Sequence, residues 1–159
     1  TAITDGSSSL MLISDAGKAV YFNEKDHNKM GRDTRGVKGI TLEENQSVIA
    51  LIMPNKDNEI LTVSENGYGK RSKVEDFRKT KRGAKGVIAM QLSERNGKLI
   101  SANQVSDEDQ VILISDKGTL VRTKVSEISV IGRNTQGVRV IKLKANEKLN
   151  GMALALEND

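Results

Sequence analysis

The sequence predicts an all-β fold, a propeller-like array of four-stranded blades formed by three repeats of about 50 residues. Apolar residues recur in short β-rich runs, glycine-containing turns separate these runs at a regular period, and helical periodicity is nowhere sustained. The 159-residue chain is 36% apolar and only 3% aromatic, with no Trp. Small modules built on Val, Ile and Leu are therefore favoured over one large core.

Two sets of glycines mark the repeat. The turn glycines lie 50 and 51 residues apart: Gly17, Gly67 and Gly118. A second set is predicted to follow them by 19, 16 and 19 residues: Gly36, Gly83 and Gly137. From the first repeat to the third, both markers advance by the same 101 residues. Hairpin turns need a residue with positive φ, which explains the first set.

Each repeat is predicted to contain four short strands. In the third repeat these are Val111–Ile114, the alternating Leu120–Val125, Gly137–Leu143 and Met152–Leu156. Asp116-Lys117-Gly118 forms the turn between the first two. A longer loop rich in charge and glycine precedes the third strand.

The whole chain, 1–159, is expected to be part of a larger domain. The blades are placed at 9–57, 58–109 and 110–159, with 1–8 as the end of a preceding unit, because Thr1–Thr4 aligns with Ala102–Val105. Propellers have 4–8 blades and only three are visible, so a fragment of a longer protein is expected.

Composition and motifs give little support to catalysis. No apolar run approaches the ~20 residues needed to cross a bilayer. The absence of Cys excludes disulfides and thiolate metal sites. His27 stands in a polar loop, residues 31–38 lack the lysine of a phosphate-binding loop, and Asp107-Glu108-Asp109 lacks calcium-ligand spacing. We expect no catalytic residue, no metal site and no cofactor here.

The basic residues are concentrated. The stretch from Gly69 to Gly86 holds eight Lys and Arg against two acidic residues, which is +6 in a chain whose formal net charge is +4. Basic residues recur around the loop between the second and third strands of every repeat. They are Arg32, Arg35, Lys38, Lys70, Arg71, Lys73, Lys79, Lys81, Arg82, Lys85, Arg122, Lys124, Arg133 and Arg139.

These positions predict a positively charged rim that binds duplex DNA. A row of cations along a curved edge neutralises successive phosphates, and glycine lets the backbone approach them. The scarcity of aromatic residues argues against base stacking, and so against single-stranded or RNA-loop recognition. An ordinary solvated charged surface and a propeller scaffold for protein partners are the alternatives.

Four stretches are distinctive: ENGYGKRSKVEDF, SERNGKLISANQV, SDKGTLVRTKVSEISVIGRNTQGVRVIKL and DTRGVKGI. They strongly resemble the C-terminal, DNA-wrapping domain of bacterial DNA gyrase A, and the resemblance covers essentially the whole chain. It implies a six-bladed β-pinwheel whose blades exchange strands, of which this chain resembles the last three. Thr80–Gly86 matches the family's first-blade box, Q-R-R-G-G-K-G, at four of seven positions.

The resemblance also implies a function. The domain would wrap double-stranded DNA around its basic perimeter and support the ATP-dependent negative supercoiling of a type II topoisomerase in the bacterial cytoplasm. Partners would be the rest of gyrase A, together with gyrase B, in a heterotetramer, with ATP and Mg²⁺ bound elsewhere in that assembly. Neither Tyr21 nor Tyr68 should carry the catalytic role. The homologous domain of topoisomerase IV is the alternative within this class.

Overall fold

Residues 1–155, which the computed structural model describes, form eleven strands in three antiparallel sheets, so the all-β prediction is confirmed. Three short 3-10 turns accompany them: Glu24–Asp26, Val74–Asp76 and Val125–Glu127. The strands are β1 (Ser9–Ser14), β2 (Lys18–Asn23), β3 (Val48–Ile52), β4 (Glu59–Ser64), β5 (Tyr68–Lys73), β6 (Val87–Ile88), β7 (Leu99–Val105), β8 (Gln110–Ser115), β9 (Leu120–Lys124), β10 (Val138–Arg139) and β11 (Leu149–Ala155).

A hairpin begins each sheet, and its turn glycine adopts the left-handed conformation that the sequence predicts. The hairpins are β1–β2, β4–β5 and β8–β9, and φ is 74°, 86° and 81° at Gly17, Gly67 and Gly118. Strands β3, β7 and β11 pair with the other side of β1, β4 and β8, each with one register shift. The three hairpins are thus built alike.

The outer strand of a sheet comes from the next repeat. The strand orders are β3-β1-β2-β6 in the first unit and β10-β5-β4-β7 in the second. Ile88 pairs with Lys18 of the first repeat, and Val138 pairs with Gly69 of the second. Four-stranded blades are therefore confirmed for these two units. Their fourth strand is exchanged between repeats, as the resemblance implies, rather than supplied by the same repeat.

The predicted third strands differ most from the structure. Residues 36–42 of the first repeat form no strand, and β10 covers only two residues of the predicted Gly137–Leu143. The third unit, in order β11-β8-β9, has three strands within the described residues. Leu156 and the rest of the predicted chain end lie outside them. A strand that needs a neighbouring sheet as its template forms only where that sheet is present.

The second glycine marker of the middle repeat is Gly86, and the assignment to Gly83 was wrong. Gly86 and Gly137 both have positive φ, 88° and 77°. A Cβ on Gly86 would lie 2.5 Å from Ala19 O, and one on Gly137 would lie 2.8 Å from Gly69 O. The marker then advances by 50 and 51 residues, like the turn glycines, so the repeats align without a gap between the two markers.

The hydrophobic core lies between neighbouring units. One cluster joins Met11 and Ile13 of the first unit to Ile60 and Leu99 of the second. Another joins Leu61 and Val63 of the second to residues of the third, including Val111, Leu113 and Val125. No unit encloses a core of this size by itself, which explains why a chain with few aromatic residues still buries enough apolar surface.

Candidate nucleic-acid interface

The units stand with one edge facing inward and the other outward. Strands β3 and β11 both contact β7, so these strands of neighbouring sheets face one another. Each lies at one edge of its sheet, and β6, β10 and β9 lie at the opposite edges. The outward edges of the first two units therefore carry the exchanged strands β6 and β10 and the loops that precede them.

The basic loop of the second repeat lies on the outward edge of the first unit. Thr80 N donates a hydrogen bond of 2.7 Å to Tyr21 O in β2, and Lys79 Nζ lies 5.4 Å from the centroid of the Tyr21 ring. Gly83 N donates to Gly39 O at 2.7 Å. Backbone hydrogen bonds from two other segments thus fix this loop, which the sequence alone presents as a solvated run of charge.

The structure divides the fourteen predicted residues into three groups. Ten are exposed: Arg32, Arg35, Lys38, Lys73, Lys79, Lys81, Lys85, Arg122, Lys124 and Arg139. Arg82 and Arg133 are half-buried, whereas Lys70 and Arg71 are buried. Only an exposed cation is free to reach a phosphate, so the predicted set divides into surface residues and structural residues.

Lys70 and Arg71 hold neighbouring repeats together, and we remove them from the interface. Lys70 is 0% exposed, and its Nζ donates to the backbone O of Gly132, at 2.8 Å, and of Arg133. Arg71 is 4% exposed, its Nε donates to Ile128 O at 2.7 Å, and its guanidinium pairs with Asp107. Lys70 and Arg71 point to opposite faces of β5, and residues of the third repeat cover both of them. The alternation of side chains along β5 therefore does not separate a buried face from a solvent-exposed one.

Burial of Lys70 makes stability depend on pH. Desolvation lowers the pKa of its ammonium from 10.5 to about 8. Between these pH values the unfolded chain binds more protons at this group than the folded chain does, so the free energy of unfolding rises with pH. We expect this group to add up to about 3 kcal/mol across that interval.

Urea denaturation at pH 8, 9 and 10.5 measures the effect against a Lys70→Met control. Val20 and Val121 occupy the matching positions of the other hairpins, so the site accommodates an apolar side chain. The wild-type curve should rise more steeply with pH than that of the control. Parallel curves for the two proteins would contradict the account.

Arg82 and Arg133 make one recurring contact between repeats. Each precedes its loop glycine, Gly86 or Gly137, by four residues. Arg82 Nη1 donates to Lys38 O at 2.6 Å, and Arg133 Nη1 donates to Ile88 O. Lys38 follows Gly36 by two residues, as Ile88 follows Gly86, so the acceptors match too. The sequence analysis treated Arg82 and Arg133 as phosphate ligands. Their equal spacing of four residues before Gly86 and Gly137 is the signal in the sequence that indicates a structural contact instead.

Arg122 has an intermediate status. It occupies the position in β9 that Arg71 occupies in β5, and its Nε donates to Gln110 Oε1 at 2.6 Å. Arg122 is exposed because no segment of the described chain covers the outer side of β9, where Leu120 is 65% exposed. We give it less weight than the loop lysines as a phosphate ligand.

Six of the other nine exposed cations lie in the loops of the first and second repeats, which the hydrogen bond from Gly83 N to Gly39 O joins, and they form a rim patch. The other three, Lys73, Lys124 and Arg139, lie in strands. We define the rim patch as Arg32, Arg35, Lys38, Lys79, Lys81 and Lys85. Two nearby carboxylates partly offset the positive charge of the rim patch. Glu43 Oε1 lies 4.0 Å from Lys85 Nζ, and Asp26 lines a surface cleft with Lys81 and Arg82. Arg78 is exposed in the same basic stretch and was omitted from the predicted set.

Two negative findings concern the described residues only. Within residues 1–155, no helix has the length and hydropathy to span a bilayer. In the same range, no three side chains of the types His, Cys, Asp and Glu come together as a metal site.

Sheets that exchange their outer strands around a shared inner edge, with cations along the outward edge, define a propeller-type repeat domain. A family model described as "DNA gyrase C-terminal domain, beta-propeller" matches residues 8–55, 58–106 and 109–155. The chain belongs to this family.

Curated relatives and solved structures agree with this assignment. The DNA gyrase A protein of Pseudomonas aeruginosa is 50% identical over 151 residues, covering 95% of this chain and 16% of the relative. The Escherichia coli gyrase A protein is 47% identical over 155 residues, covering 98% and 18%. The chain thus spans about a sixth of the length of these relatives.

Two solved structures have closely similar folds. A DNA gyrase A C-terminal domain superposes with a TM-score of 0.86 at 28% identity, covering 96% of this chain and 52% of that structure. The C-terminal domain of DNA topoisomerase IV superposes with a TM-score of 0.88 at 25% identity, covering 96% and 48%. The fold therefore does not distinguish gyrase from topoisomerase IV, whereas the higher sequence identity favours gyrase.

Proposed function

We propose that this chain is a non-catalytic module that binds duplex DNA and bends it around its outward edge. The observation that carries the proposal is the rim patch, six exposed cations on two loops from neighbouring repeats that backbone hydrogen bonds join to each other. Cations on a fixed, convex edge neutralise successive phosphates while the duplex follows the curve. The match to the gyrase C-terminal domain family supports the assignment of this surface to DNA.

At the level of the whole protein, we propose a part in DNA gyrase. The module would supply bent DNA to a type II topoisomerase that introduces negative supercoils with ATP, in a bacterial cytoplasm. Its partners would be the rest of gyrase A and the gyrase B protein in a heterotetramer. ATP and Mg²⁺ would bind elsewhere in that assembly, and no residue of this chain is assigned to them. Topoisomerase IV remains the alternative assembly.

Backbone recognition predicts a steep dependence on salt. With about six phosphate contacts, affinity for a mixed-sequence duplex should fall on the order of 10³-fold between 50 and 200 mM salt. Fluorescence anisotropy with two duplexes of unrelated sequence measures this, and both should give the same slope. A salt-independent affinity, or strong preference for one duplex, would contradict phosphate-dominated binding and would favour the scaffold alternative.

Bending is tested separately from binding. Ligation of a linear duplex of about 150 bp into a circle should become faster in the presence of the chain, since a bend brings the two ends of the duplex together. A chain that binds with the predicted salt slope yet leaves the rate of circle closure unchanged would retain the binding proposal and overturn the bending one.

A further inference from the structure

A basic groove lies beside the Asn66-Gly67 hairpin turn, and none of its lining residues belongs to the rim patch. It separates the second unit from the third repeat, has a volume of about 360 Å³, and is lined by Asn66, Tyr68, Arg95, Arg139, Lys142, Leu143, Lys144, Asn146, Glu147 and Lys148. Five of these ten residues are cations, and one is an anion. Neither Arg95 nor the lysines of this groove were predicted as site residues.

Two arginines meet at one tyrosine in the groove. The guanidinium carbons of Arg95 and Arg139 lie 4.3 and 5.5 Å from the centroid of the Tyr68 ring. Arg139 Nη2 donates a hydrogen bond of 3.0 Å to Tyr68 Oη. This bond, with Arg95 close by, lowers the pKa of the Tyr68 phenol. The phenolic O–H remains able to donate to a further acceptor.

The positive charge of the groove is poorly compensated. Glu147 is engaged, because its carboxylate accepts hydrogen bonds from Ser115 Oγ and Thr119 Oγ1, both at 2.6 Å. Lys148 is paired with Glu65 at 3.3 Å. Among residues 1–155, no carboxylate lies within 4.0 Å of the charged groups of the four other cations, which are Arg95, Arg139, Lys142 and Lys144.

The fold does not require these four cations. An equivalent groove separates the first unit from the second repeat, and it is lined by Asp15, Ala16, Asn45, Gln46, Leu92, Ser93, Gly97 and Lys98. The repeat offset of 50 or 51 residues places neutral residues opposite each cation: Asn45 for Arg95, Ile88 for Arg139, Gln91 for Lys142 and Ser93 for Lys144. The same backbone thus forms with neutral side chains, so packing alone does not explain the charge.

We propose that this groove is a phosphate-binding site, formed by the guanidinium groups of Arg95 and Arg139 around Tyr68 with Lys142 and Lys144 beside them. Arginine presents paired N–H donors that match phosphate oxygens, and a pair of guanidiniums without a carboxylate favours an anion. The phosphate comes either from the DNA backbone or from a free phosphoanion. The DNA source rests on the proposed function, whereas the free-anion source does not.

The test uses the groove's own tyrosine. The chain has two Tyr and no Trp, so in a Tyr21→Phe background the fluorescence reports on Tyr68 alone. Titration of the 159-residue chain with inorganic pyrophosphate, and separately with a duplex, should give a saturable change in this fluorescence. The matched variant replaces the four cations by the neutral residues at the matching positions one repeat earlier: Arg95→Asn, Arg139→Ile, Lys142→Gln and Lys144→Ser. It should weaken binding of the responding ligand by about 10-fold or more, the effect of losing 1.4 kcal/mol.

The two sources give different results. A pyrophosphate response abolished by the matched variant, with unchanged DNA affinity, assigns the groove to a free phosphoanion. A duplex response with a DNA salt slope lowered in the variant assigns it to the DNA backbone. If neither ligand alters Tyr68 fluorescence, the site is overturned, even where the rim patch binds DNA normally. A smaller variant, Arg95→Asn with Lys144→Ser, repeats the comparison should the fourfold change impair folding.

Discussion

Replacement of Lys79, Lys81 and Lys85 by glutamine is expected to lower the affinity for duplex DNA on the order of 100-fold at roughly 0.1 M salt, because three phosphate contacts would be lost. Each lost contact also lowers the salt slope by about 0.9. Arg82 is retained because its Nη1 bonds to Lys38 O and its loss would disturb the loop itself. Anisotropy titrations at several salt concentrations give both the affinity and the slope.

The matched control neutralises three exposed lysines outside the rim patch. Lys56, Lys98 and Lys117 are exposed and lie in connections away from the outward-edge loops. Their replacement by glutamine makes the same change in net charge, so it removes the general electrostatic attraction equally. Equal losses in the two triple variants would show that the DNA follows another surface.

Gly86→Ala should destabilise the fold by about 3–5 kcal/mol, the sum of a conformational cost and a steric one. Its φ of 88° costs an L-residue roughly 1–2 kcal/mol, and a Cβ would lie 2.5 Å from Ala19 O and 2.8 Å from Ala19 C. These are backbone atoms of the first unit, so relief requires β6 to move away from β2. Urea denaturation measures the loss of stability.

Gly36→Ala is the matched control in the first repeat. Gly36 occupies the same loop position with φ of 73°, but a Cβ there meets no atom within 4 Å. Only the conformational cost remains, so about 1–2 kcal/mol is expected. Similar losses at the two glycines would mean that the contact between β6 and the first unit adds nothing to stability.

The repeat, the hairpins and the outward basic loops can be predicted from the sequence because each depends on local chemistry. The residue types of Asn66-Gly67 predict the turn by themselves, although in the structure Asn66 also bonds to the distant Glu94 and Arg95. The exchanged strand cannot be recognised in this way, because Val87-Ile88 forms a strand only against β2 of another repeat. Gly83 and Gly86 both have positive φ, and two observations identify Gly86 as the equivalent glycine: it follows Gly67 by 19 residues, as Gly36 follows Gly17, and it contacts Ala19.

The same limitation explains the errors in the candidate site. Lys70 resembles Lys73 in sequence, yet the third repeat covers Lys70 and leaves Lys73 exposed. The number of Lys and Arg in a stretch of sequence can be counted directly. Which of them are exposed depends on the distant segment that packs over that stretch in the fold. Arg95 was missed for the opposite reason: it stands outside the basic run, and only folding brings it next to Arg139 and Tyr68.

The exchanged outer strand also determines where mechanical load goes. Lys79, Lys81 and Lys85 belong to the second repeat, but the segment that carries them is hydrogen-bonded to the first unit at Tyr21, Gly39 and Ala19. A bent duplex of roughly 20–30 bp stores elastic energy on the order of 1–6 kcal/mol, and it exerts a force on the residues that hold it bent. The force from the bent DNA would therefore act on the sheets of the first and second units together. Straightening of the DNA would be resisted by both sheets rather than by one flexible loop.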